Sequence, residues 1–537
     1  MQETRRDFLK KAGIGAMGLS GLMPVTEAMP GWNGTTNPNI ILVLTDDQGW
    51  TDTSVQMMAG RADSKSDFYR TPALERMARE GMVFSNAYAP APVCTPTRVS
   101  IQFGKTPARL HDTGHYRSAR KDFDDEVSIA QAIKAVDPSY GAAHFGKWGG
   151  QATSPEQAGY DRSDGKTNNY HGDWRSLKDK RPIPPDNPKQ IFGLTRRACQ
   201  FMEDQVSAGR PFYLQVSHYA VHVQHRALKE TIEKYRGLPR GKKCAPEDYQ
   251  SPPPGVSRWM LEYAAMIENL DTGLESMLKK IDELGITEST YVIFFSDNGG
   301  DFRGNTPLRG QKSELWEGGI RVPMIVRGPG IKPGSRCDEP VAGWDFLPTF
   351  VDLAGGDKKA VPENRDGGSL RLLFENSGKG RIDRPVEGLV FHFPDFQGVT
   401  MSAIRLGDYK LLKDWETGKI HLYNLVDDLG ETRDLAPKMP KKVNELYRKL
   451  MNYLDSVNAE KAEDIHLDSL KQAIEQKRQL EIEMRELLDS EDQEGKDKWS
   501  QLNMRLGFQN NRIKQLQERL HLINEANRKE AKQETVN

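Results

Sequence analysis

The sequence predicts an α/β fold in which a large, mixed, mostly parallel sheet is flanked by helices. Two continuous apolar runs, at residues 39–44 and 291–295, are typical of strands buried on both faces of such a sheet. Segments with helical periodicity alternate with the predicted strands, as in parallel sheets with crossover helices. Both apolar runs end in polar clusters, and open α/β sheets bind their ligands at such strand ends.

The other elements of this region follow from apolar periodicity and from its interruptions. A helix at 71–81 has Pro72 in its first turn and Gly81 at its end. Further helices are predicted at 127–136, 192–207 and 258–284, and a further strand at 211–217. Residues 83–88 lead into the segment around Cys94, and residues 140–145 lead to Gly146-Lys147. The polar segments 161–188 and 236–256 are predicted to be loops. Residues 38–385 are therefore assigned to one large domain.

After about residue 388 the pattern changes to short strands. These are predicted at 389–393, 400–406, 409–413 and 420–425, and a helix follows at 443–454. This succession indicates a small antiparallel sheet with a packed helix, and we assign it to a second unit at 386–458.

Residues 459–537 are charged and indicate a helical hairpin or coiled coil. Its second helix has an apolar seam spaced by three and four residues: Trp499, Leu502, Leu506, Gln509, Ile513, Leu516, Leu520 and Ile523. An earlier, less regular series comprises Leu467, Leu470, Ile474, Leu480, Met484 and Leu487. Two interpretations remain open, because the hairpin could pack on its own chain or could join two copies into a homo-oligomer.

Composition argues against several classes of partner. The 537 residues include 75 basic and 76 acidic side chains, so no overall field favours nucleic acid or a membrane surface. The four cysteines, at 94, 199, 244 and 337, have no metal-binding spacing and are too few for a disulfide scaffold. We expect Cys199, Cys244 and Cys337 to be small buried side chains.

The N-terminus has the features of an export signal. Arg5 and Arg6 precede Phe8-Leu9-Lys10 and a small, apolar run at 12–23, and Ala28 lies at a plausible cleavage site. Residues 1–30 therefore predict export by the twin-arginine translocation machinery to the bacterial periplasm or beyond. The run is too short and too rich in glycine for a membrane span.

Two predicted strand ends supply candidate metal ligands. Asp46 and Asp47 follow the first apolar run, and Asp297 and Asn298 follow the later one. Their oxygen atoms suit Ca²⁺, and Mg²⁺ is a second possibility. A thiolate would match such an ion poorly. If Cys94 belongs to this site, an oxygen-bearing product of it would be the better ligand.

The segment around Cys94 carries the most specific pattern. Pro92 and Pro96 restrict the backbone around the cysteine, and a helix is predicted at 97–103. Its free N–H groups, together with Arg98, would favour an anion near Cys94. Taken alone, an isolated cysteine in such a segment is better explained as a buried free thiol in a turn.

The order Cys94-x-Pro96-x-Arg98, with Gly104-Lys105 beyond it, resembles the signature of the type I sulfatases, members of the alkaline phosphatase superfamily. In that family a sulfatase-maturing enzyme oxidises the cysteine to formylglycine (3-oxoalanine), whose hydrated aldehyde is the nucleophile. The family commonly has other residues at Thr97, Gln102 and Phe103. The resemblance extends over residues 38 to 455.

Further segments match the family in the same order. Lys147 in Gly-Lys-Trp, His222 in Ala-Val-His and Lys312 after Leu-Arg-Gly-Gln correspond to its sulfate-contacting residues. One departure is Gly149, where the family usually has a histidine that holds the formylglycine hydroxyl. His115, His144 and His218 are candidates for its replacement, and the sequence does not decide between them.

The resemblance implies a sulfatase that acts on a sulfated carbohydrate. Arg98 and the metal hold the hydrated formylglycine, one hydroxyl attacks sulfur, and His222 or Lys312 gives a proton to the leaving alcohol. The second hydroxyl then loses its proton as sulfate leaves. Two alternatives remain: a phosphonate or phosphate-ester hydrolase of the same superfamily, and a degenerate protein that binds sulfated glycans without cleaving them.

Overall fold

The computed structural model describes residues 37–113, 123–149, 153–175, 178, 180–239, 258–301, 305–396, 399–487 and 493–534. The predicted export signal, His115 and Cys244 lie outside these residues, as does most of the loop predicted at 236–256. Within the described part of the chain no helix combines the length and the apolar character needed to cross a lipid bilayer.

The main sheet has eight strands in the order β5-β4-β6-β1-β7-β8-β2-β9. Their bounds are β1 (Asn39–Thr45), β2 (Met82–Phe84), β4 (Gly141–Gly146), β5 (Arg162–Ser163), β6 (Phe212–Ser217), β7 (Thr290–Ser296), β8 (Met324–Arg327) and β9 (Ser335–Cys337). β8 is antiparallel to its neighbours β7 and β2, and the other pairings are parallel. The mixed, mostly parallel sheet confirms the predicted fold class.

The segment 83–88, which leads to Cys94, contributes to two different sheets. β2 belongs to the main sheet, whereas β3 (Ala87–Tyr88) pairs with β10 (Val341–Ala342) in a separate two-stranded sheet. Ser85 and Asn86 lie between the two strands, and the apolar residues on both sides of them are buried.

Helices cover both faces of the main sheet. Those of this part of the chain are α1 (Pro72–Glu80), α2 (Cys94–Phe103), α3 (Pro107–Leu110), α4 (Ile129–Val136), α5 (Tyr170–Asp173), α6 (Ile191–Ser207), α7 (Lys229–Arg236), α8 (Arg258–Glu283), α9 (Glu317–Ile320), α10 (Phe346–Leu353) and α11 (Arg371–Glu375). Alternate side chains of β1 enter different cores. Leu42 and Leu44 pack on one face, and Ile41 and Val43 pack on the other. Burial on both faces explains the uninterrupted apolar run.

The register of the central strands places four carboxyl ends at one edge of the sheet. Leu44 on β1 lies opposite Ser217 on β6 and Phe295 on β7, and Gly146 on β4 also lies opposite Ser217. Residues that follow these strands therefore gather at the same edge.

The C-terminal sheet consists of the antiparallel strands β11 (Leu389–Phe396), β12 (Val399–Leu406), β13 (Tyr409–Asp414) and β14 (Ile420–Asn424). Helix α12 (Pro440–Ser456) packs on it through Leu446 and Leu450. The small antiparallel sheet with a packed helix is as predicted.

A buried ionic network joins the C-terminal sheet to the main domain. The ammonium group of Lys410 on β13 lies 2.9 Å from a carboxylate oxygen of Glu317 and 2.9 Å from one of Glu431. Arg321 also binds Glu317, at 2.7 Å, and Tyr88 donates to it at 2.8 Å. Charges this deeply buried are tolerated only in such well-paired arrangements. The network therefore fixes how the second sheet sits against the segment that contains Glu317.

Two long helices end the described chain, α13 (Ala462–Glu486) and α14 (Gln493–Glu534). They run antiparallel, since Gln509 donates to the Ala473 carbonyl (2.9 Å) and Asn527 donates to Glu463 (3.3 Å). On α14 the seam residues Leu502 and Ile523 are buried.

The residues of α13 that are buried differ in part from the predicted apolar series Leu467 to Leu487. Ala473 and Leu480 are buried, whereas Leu467 and Ile474 are 38% and 48% exposed. Small side chains let two helices approach closely, so Ala473 lies in the interface instead of the larger side chains of Leu467 and Ile474.

Candidate active site

The ends of β1 and β7 bring four candidate metal ligands together. Asp46 and Asp47 follow β1, Asp297 and Asn298 follow β7, and all four side chains are buried. The Asp47 backbone N–H donates to Asp297 Oδ1 (3.1 Å), and Asn298 Nδ2 donates to Asp47 Oδ1 (2.9 Å). The two clusters predicted from sequence are therefore one cluster in space.

Cys94 is the first residue of α2. The turn before the helix is braced by Thr97, whose hydroxyl accepts from the Ala91 N–H (3.1 Å) and donates to the Ala91 carbonyl (3.0 Å). The helix begins three residues earlier than predicted, because Pro96 lies in the first turn, where its missing N–H costs no helical hydrogen bond.

The helix places Cys94 beside the acidic cluster. Its Sγ atom and one oxygen each of Asp46 and Asp297 all lie within 4.8 Å of one another. Burial raises the pKa of the Cys94 thiol, although the positive charge of Lys147 acts in the opposite direction. The residue would therefore be a neutral thiol, which is a weak nucleophile and a weak metal ligand.

Arg98 lies one turn beyond Cys94 and is 2% exposed. Its Nε donates to Asp297 Oδ2 (2.8 Å), and its Nη1 donates to the Lys147 carbonyl (2.7 Å). Because Lys147 follows β4 and Asp297 follows β7, the guanidinium group spans the ends of the strands between them. Arg98 thereby fixes α2 over the edge of the sheet.

Two lysines form ion pairs with the two carboxylates that follow β1. Lys147 Nζ lies 2.6 Å from Asp46 Oδ2, and Lys312 Nζ lies 2.6 Å from Asp47 Oδ2. Burial opposes the charge on Lys312, but the Asp47 carboxylate outweighs this effect and raises the pKa of Lys312. Both ammonium groups are therefore charged at neutral pH and could bind an anion.

His222 lies at the more accessible side of the cluster. Its side chain is 16% exposed, and its Nε2 lies 3.8 Å from Asp47 Oδ2. Its Nδ1 bonds to the Val223 carbonyl, and its Nε2 contacts Asn169 Nδ2 at 3.1 Å. Burial lowers the pKa of His222, although the carboxylates of Asp46 and Asp47 act in the opposite direction.

All the site residues selected from the sequence meet in this cluster: Asp46, Asp47, Cys94, Arg98, Lys147, His222, Asp297, Asn298 and Lys312. Asn169 was not among them. It lies just before α5, in the segment predicted to be a loop, and no residue pattern there distinguishes it from other polar loop residues. Only the folded chain shows its contact with His222.

The sequence profile of the family described as Sulfatase matches residues 38–356, more than half of the chain. The chain belongs to the sulfatase family. A second profile, described as N-sulphoglucosamine sulphohydrolase, C-terminal, matches residues 311–460. Membership makes this protein a sulfuric ester hydrolase of the alkaline phosphatase superfamily.

Relatives of this sulfatase cover most of its length. A protein named Sulfatase from Formosa agariphila is 29% identical over an alignment of 493 positions, which covers 75% of this chain and 85% of that protein. The Ulvan-active sulfatase of the same organism is 28% identical, over 80% of this chain and 84% of its own. The structure of BT4656 in complex with its substrate D-glucosamine-2-N,6-O-disulfate has a TM-score of 0.63 at 20% identity, covering 79% of this chain and 98% of that one. This last likeness shows the fold alone.

Gly149 distinguishes this sulfatase from the family pattern. Its φ of 115° lies in the region that favours glycine, and a Cβ atom there would lie 3.3 Å from Arg98 Cδ. Of the three candidate replacements for the missing imidazole, His115 lies outside the described residues. His144 and His218 are both fully buried.

The cluster of this sulfatase fits a divalent cation. Asp46 Oδ1 and Asn298 Oδ1 are buried and have no hydrogen-bond partner within the described part of the chain. Burial and the neighbouring charge of Asp46 raise the pKa of Asp297 to about 7, which reflects carboxylates packed together. A hard cation would bind these free oxygen atoms and relieve the repulsion.

Proposed function

We propose that this sulfatase hydrolyses sulfate esters of a polysaccharide or of its oligosaccharides with a formylglycine nucleophile made from Cys94. The observation that supports this most directly is the position of Cys94. It lies at the start of a buried helix, beside the carboxylates of Asp46 and Asp297, and these are surrounded by Arg98 and Lys147.

A thiol has little use in this environment. Burial keeps it protonated, and the oxygen ligands around it suit Ca²⁺ or Mg²⁺ better than any ion that prefers sulfur. Conversion to hydrated formylglycine would supply an oxygen nucleophile and a second hydroxyl that allows sulfate to leave. A divalent cation held by Asp46, Asp47, Asp297, Asn298 and residue 94 would neutralise negative charge on the sulfate group.

The remaining residues have roles that follow from their charge and position. Lys147 and Lys312 present ammonium groups to a bound sulfate and stabilise the charge that develops on its oxygens. Arg98 holds the helix of residue 94 in register with the sheet through Asp297. His222, on the accessible side, is placed to give a proton to the leaving alcohol, and Lys312 is the second candidate for that step.

The proposed substrate class, a sulfated carbohydrate, is supported by the names of similar proteins. One relative is named as a sulfatase active on ulvan. The protein BT4656 has D-glucosamine-2-N,6-O-disulfate as its substrate. The proposed export signal at 1–30 is consistent with a large external substrate, since it would direct the protein to the periplasm or outside the cell. It would require the twin-arginine machinery, and Cys94 would require a sulfatase-maturing enzyme before or during export.

Turnover of matched aryl esters tests the reaction class. We expect purified protein with converted Cys94 to hydrolyse an aryl sulfate with a kcat/KM that exceeds its value for the same aryl phosphate. Preference for the phosphate would indicate a phosphonate or phosphate-ester hydrolase instead. Absence of turnover of either ester, with converted Cys94 and bound sulfated oligosaccharide, would indicate a glycan-binding protein.

We further propose that residues 38–385 form the catalytic domain, that 386–458 form its C-terminal subdomain, and that 459–537 are dispensable for chemistry. Truncation after Asn458 should leave turnover of an aryl sulfate largely intact, because no site residue lies beyond it. The melting temperature should fall, since His392 loses its contact with the Glu460 carbonyl (2.7 Å) and Ile465 is buried in the intact protein.

Light scattering of the same two proteins tests whether the hairpin mediates oligomerisation. A mass per particle that does not change, apart from the deleted residues, would exclude a homo-oligomer joined by the C-terminal helices. A folded truncation that no longer hydrolyses the small ester would contradict the proposed division of the chain, because the tail would then shape the active site.

A further inference from the structure

A cavity lies away from the active site, on the side of the sheet where β1 begins. Its volume is about 410 Å³, and it is lined by α10, α11 and the loops around them. A Cβ atom on Gly355, next to the lining residue Gly356, would lie 3.4 Å from Oδ1 of Asn37, just before β1. The catalytic cluster follows the other end of β1, and a strand of seven residues spans about 23 Å. The cavity is therefore separate from the active site.

The cavity has the size and the mixed lining of a small-molecule site, since such sites measure about 300–1,000 Å³. Leu372 is 52% exposed and, together with Val361 and Pro348, gives the cavity an apolar surface. The charged side chains that line it are Lys358, Arg365, Arg381, Asp352, Asp357 and Asp383. A ligand that matches this lining has an apolar face and several polar groups.

The carboxylates of the cavity already have donors within the protein. Asp352 Oδ1 lies 3.2 Å from Nη1 of Arg371. Asp357 Oδ1 accepts from two backbone N–H groups, at 2.8 and 3.2 Å. Asp383 and Lys358 are both exposed and neutralise each other in an ion pair. The negative charge of the lining is therefore largely compensated before any ligand binds.

Arg365 is a guanidinium group of the cavity without an ion pair to a described carboxylate. Its Nη1 donates to the Pro362 carbonyl (3.2 Å), whereas its Nε is buried and has no hydrogen-bond partner among the residues that the structure describes. Burial lowers the pKa of Arg365, although the charge of Asp383 acts in the opposite direction, and the group stays charged. Arg381 is 83% exposed and lies 3.5 Å from Glu387 in a long ion pair. The cavity therefore favours an oxyanion at Arg365.

From this lining we infer that the cavity is a second binding site for the sulfated polysaccharide and takes one sulfated sugar unit of the chain that the active site cleaves. The inference rests on the proposed function, which supplies the substrate class. Arg365 binds the sulfate group, and Leu372 packs against the C–H groups of the sugar ring. Asp352 and Asp357 accept hydrogen bonds from its hydroxyl groups, because a carboxylate has about four acceptor sites. A polymer that reaches both sites is bound more tightly than at either site alone.

Binding of dextran sulfate, a polymer of sulfated glucose units, tests this inference with the full-length protein. A Cys94→Ala background excludes turnover, and Arg365→Gln in that background removes the positive charge from the cavity. We expect the dissociation constant for long dextran sulfate to rise about tenfold, because a hydrogen bond to a charged group is lost. Leu372→Glu should raise it by a similar factor, since a carboxylate in the cavity repels the sulfate group. Residue 372 is exposed, so this second variant should keep its melting temperature and tests the cavity even if Arg365→Gln is unstable.

Arg61→Gln in the same background is the matched control. Arg61 is 38% exposed, pairs with Asp63 at 2.7 Å and does not line the cavity, so its loss should leave the dissociation constant unchanged. An unchanged constant in Leu372→Glu and Arg365→Gln, or an equal rise in the control, would overturn the inference. An equal rise for inorganic polyphosphate would also overturn it, because the cavity would then recognise charge without the sugar. Absence of aryl sulfate turnover by wild-type protein with converted Cys94 would instead contradict the proposed function, and the binding measurement does not depend on that activity.

Discussion

A Cys94→Ala variant will hydrolyse an aryl sulfate at least about 10⁴-fold more slowly than the wild-type protein, because it removes the group from which the nucleophile is made. Its melting temperature should change little. The Cys94 side chain is small, and among the described residues no hydrogen bond to its sulfur contributes to the cluster, which is held instead by Arg98, Lys147 and Asp297. Steady-state kinetics and thermal unfolding of the two proteins check the prediction.

Cys94→Ser provides the matched comparison for this experiment. Serine retains an oxygen nucleophile but lacks a second hydroxyl on the same carbon, so an unconverted serine should stall after one reaction with the ester. Peptide mass spectrometry must show formylglycine in the active wild-type protein. Full activity from a preparation in which residue 94 is entirely unmodified cysteine would contradict the proposed nucleophile.

Asp297→Ala should lower both the metal content and the turnover of an aryl sulfate. Residues that only support metal ligands typically contribute about 10–100-fold to affinity or activity, so loss of a ligand should cost more than about 10²-fold. The change also removes the carboxylate that binds Arg98 at 2.8 and 2.7 Å, and this will loosen α2. Elemental analysis of the dialysed proteins and steady-state kinetics measure the two effects.

Asp383→Ala is a suitable control for this variant. Its side chain is 77% exposed and pairs with Lys358, far along the chain from the strand ends, so metal content and turnover should stay at wild-type values. Full activity of the wild-type protein in a demonstrably metal-free preparation would rule out the metal centre. Restoration of activity by Ca²⁺ but not by Mg²⁺ would identify the ion.

Much of the candidate site could be predicted because its residues follow strands. Asp46 and Asp297 come directly after continuous apolar runs, and parallel strands present their carboxyl ends at one edge of a sheet. The prediction required only that the two strands lie near one another, and β1 and β7 turn out to be adjacent. Cys94 and Arg98 were predictable from the motif, since four residues of helix place both side chains on one face.

Other features could not be predicted because they depend on contacts between distant segments. The contact of Asn169 with His222 joins a loop to the end of a strand, and no local pattern encodes it. The burial of Ala473 and the exposure of Ile474 depend on how closely two helices approach. The start of α2 at Cys94 depends on the bracing of its first turn by Thr97.

The sequence by itself determined the α/β class and the chemistry available at the strand ends, because apolar periodicity and residue type are local properties. Only the tertiary structure decided which partners each buried histidine has. The sequence offered His144 and His218 equally, since each lies at or just after a strand. The fold separates them: His144 is bonded to Ser217, whereas neither ring nitrogen of the buried His218 has a hydrogen-bond partner within the described residues. A side chain's role depends on what its neighbours have left unpaired, and those neighbours come from strands far apart in the chain.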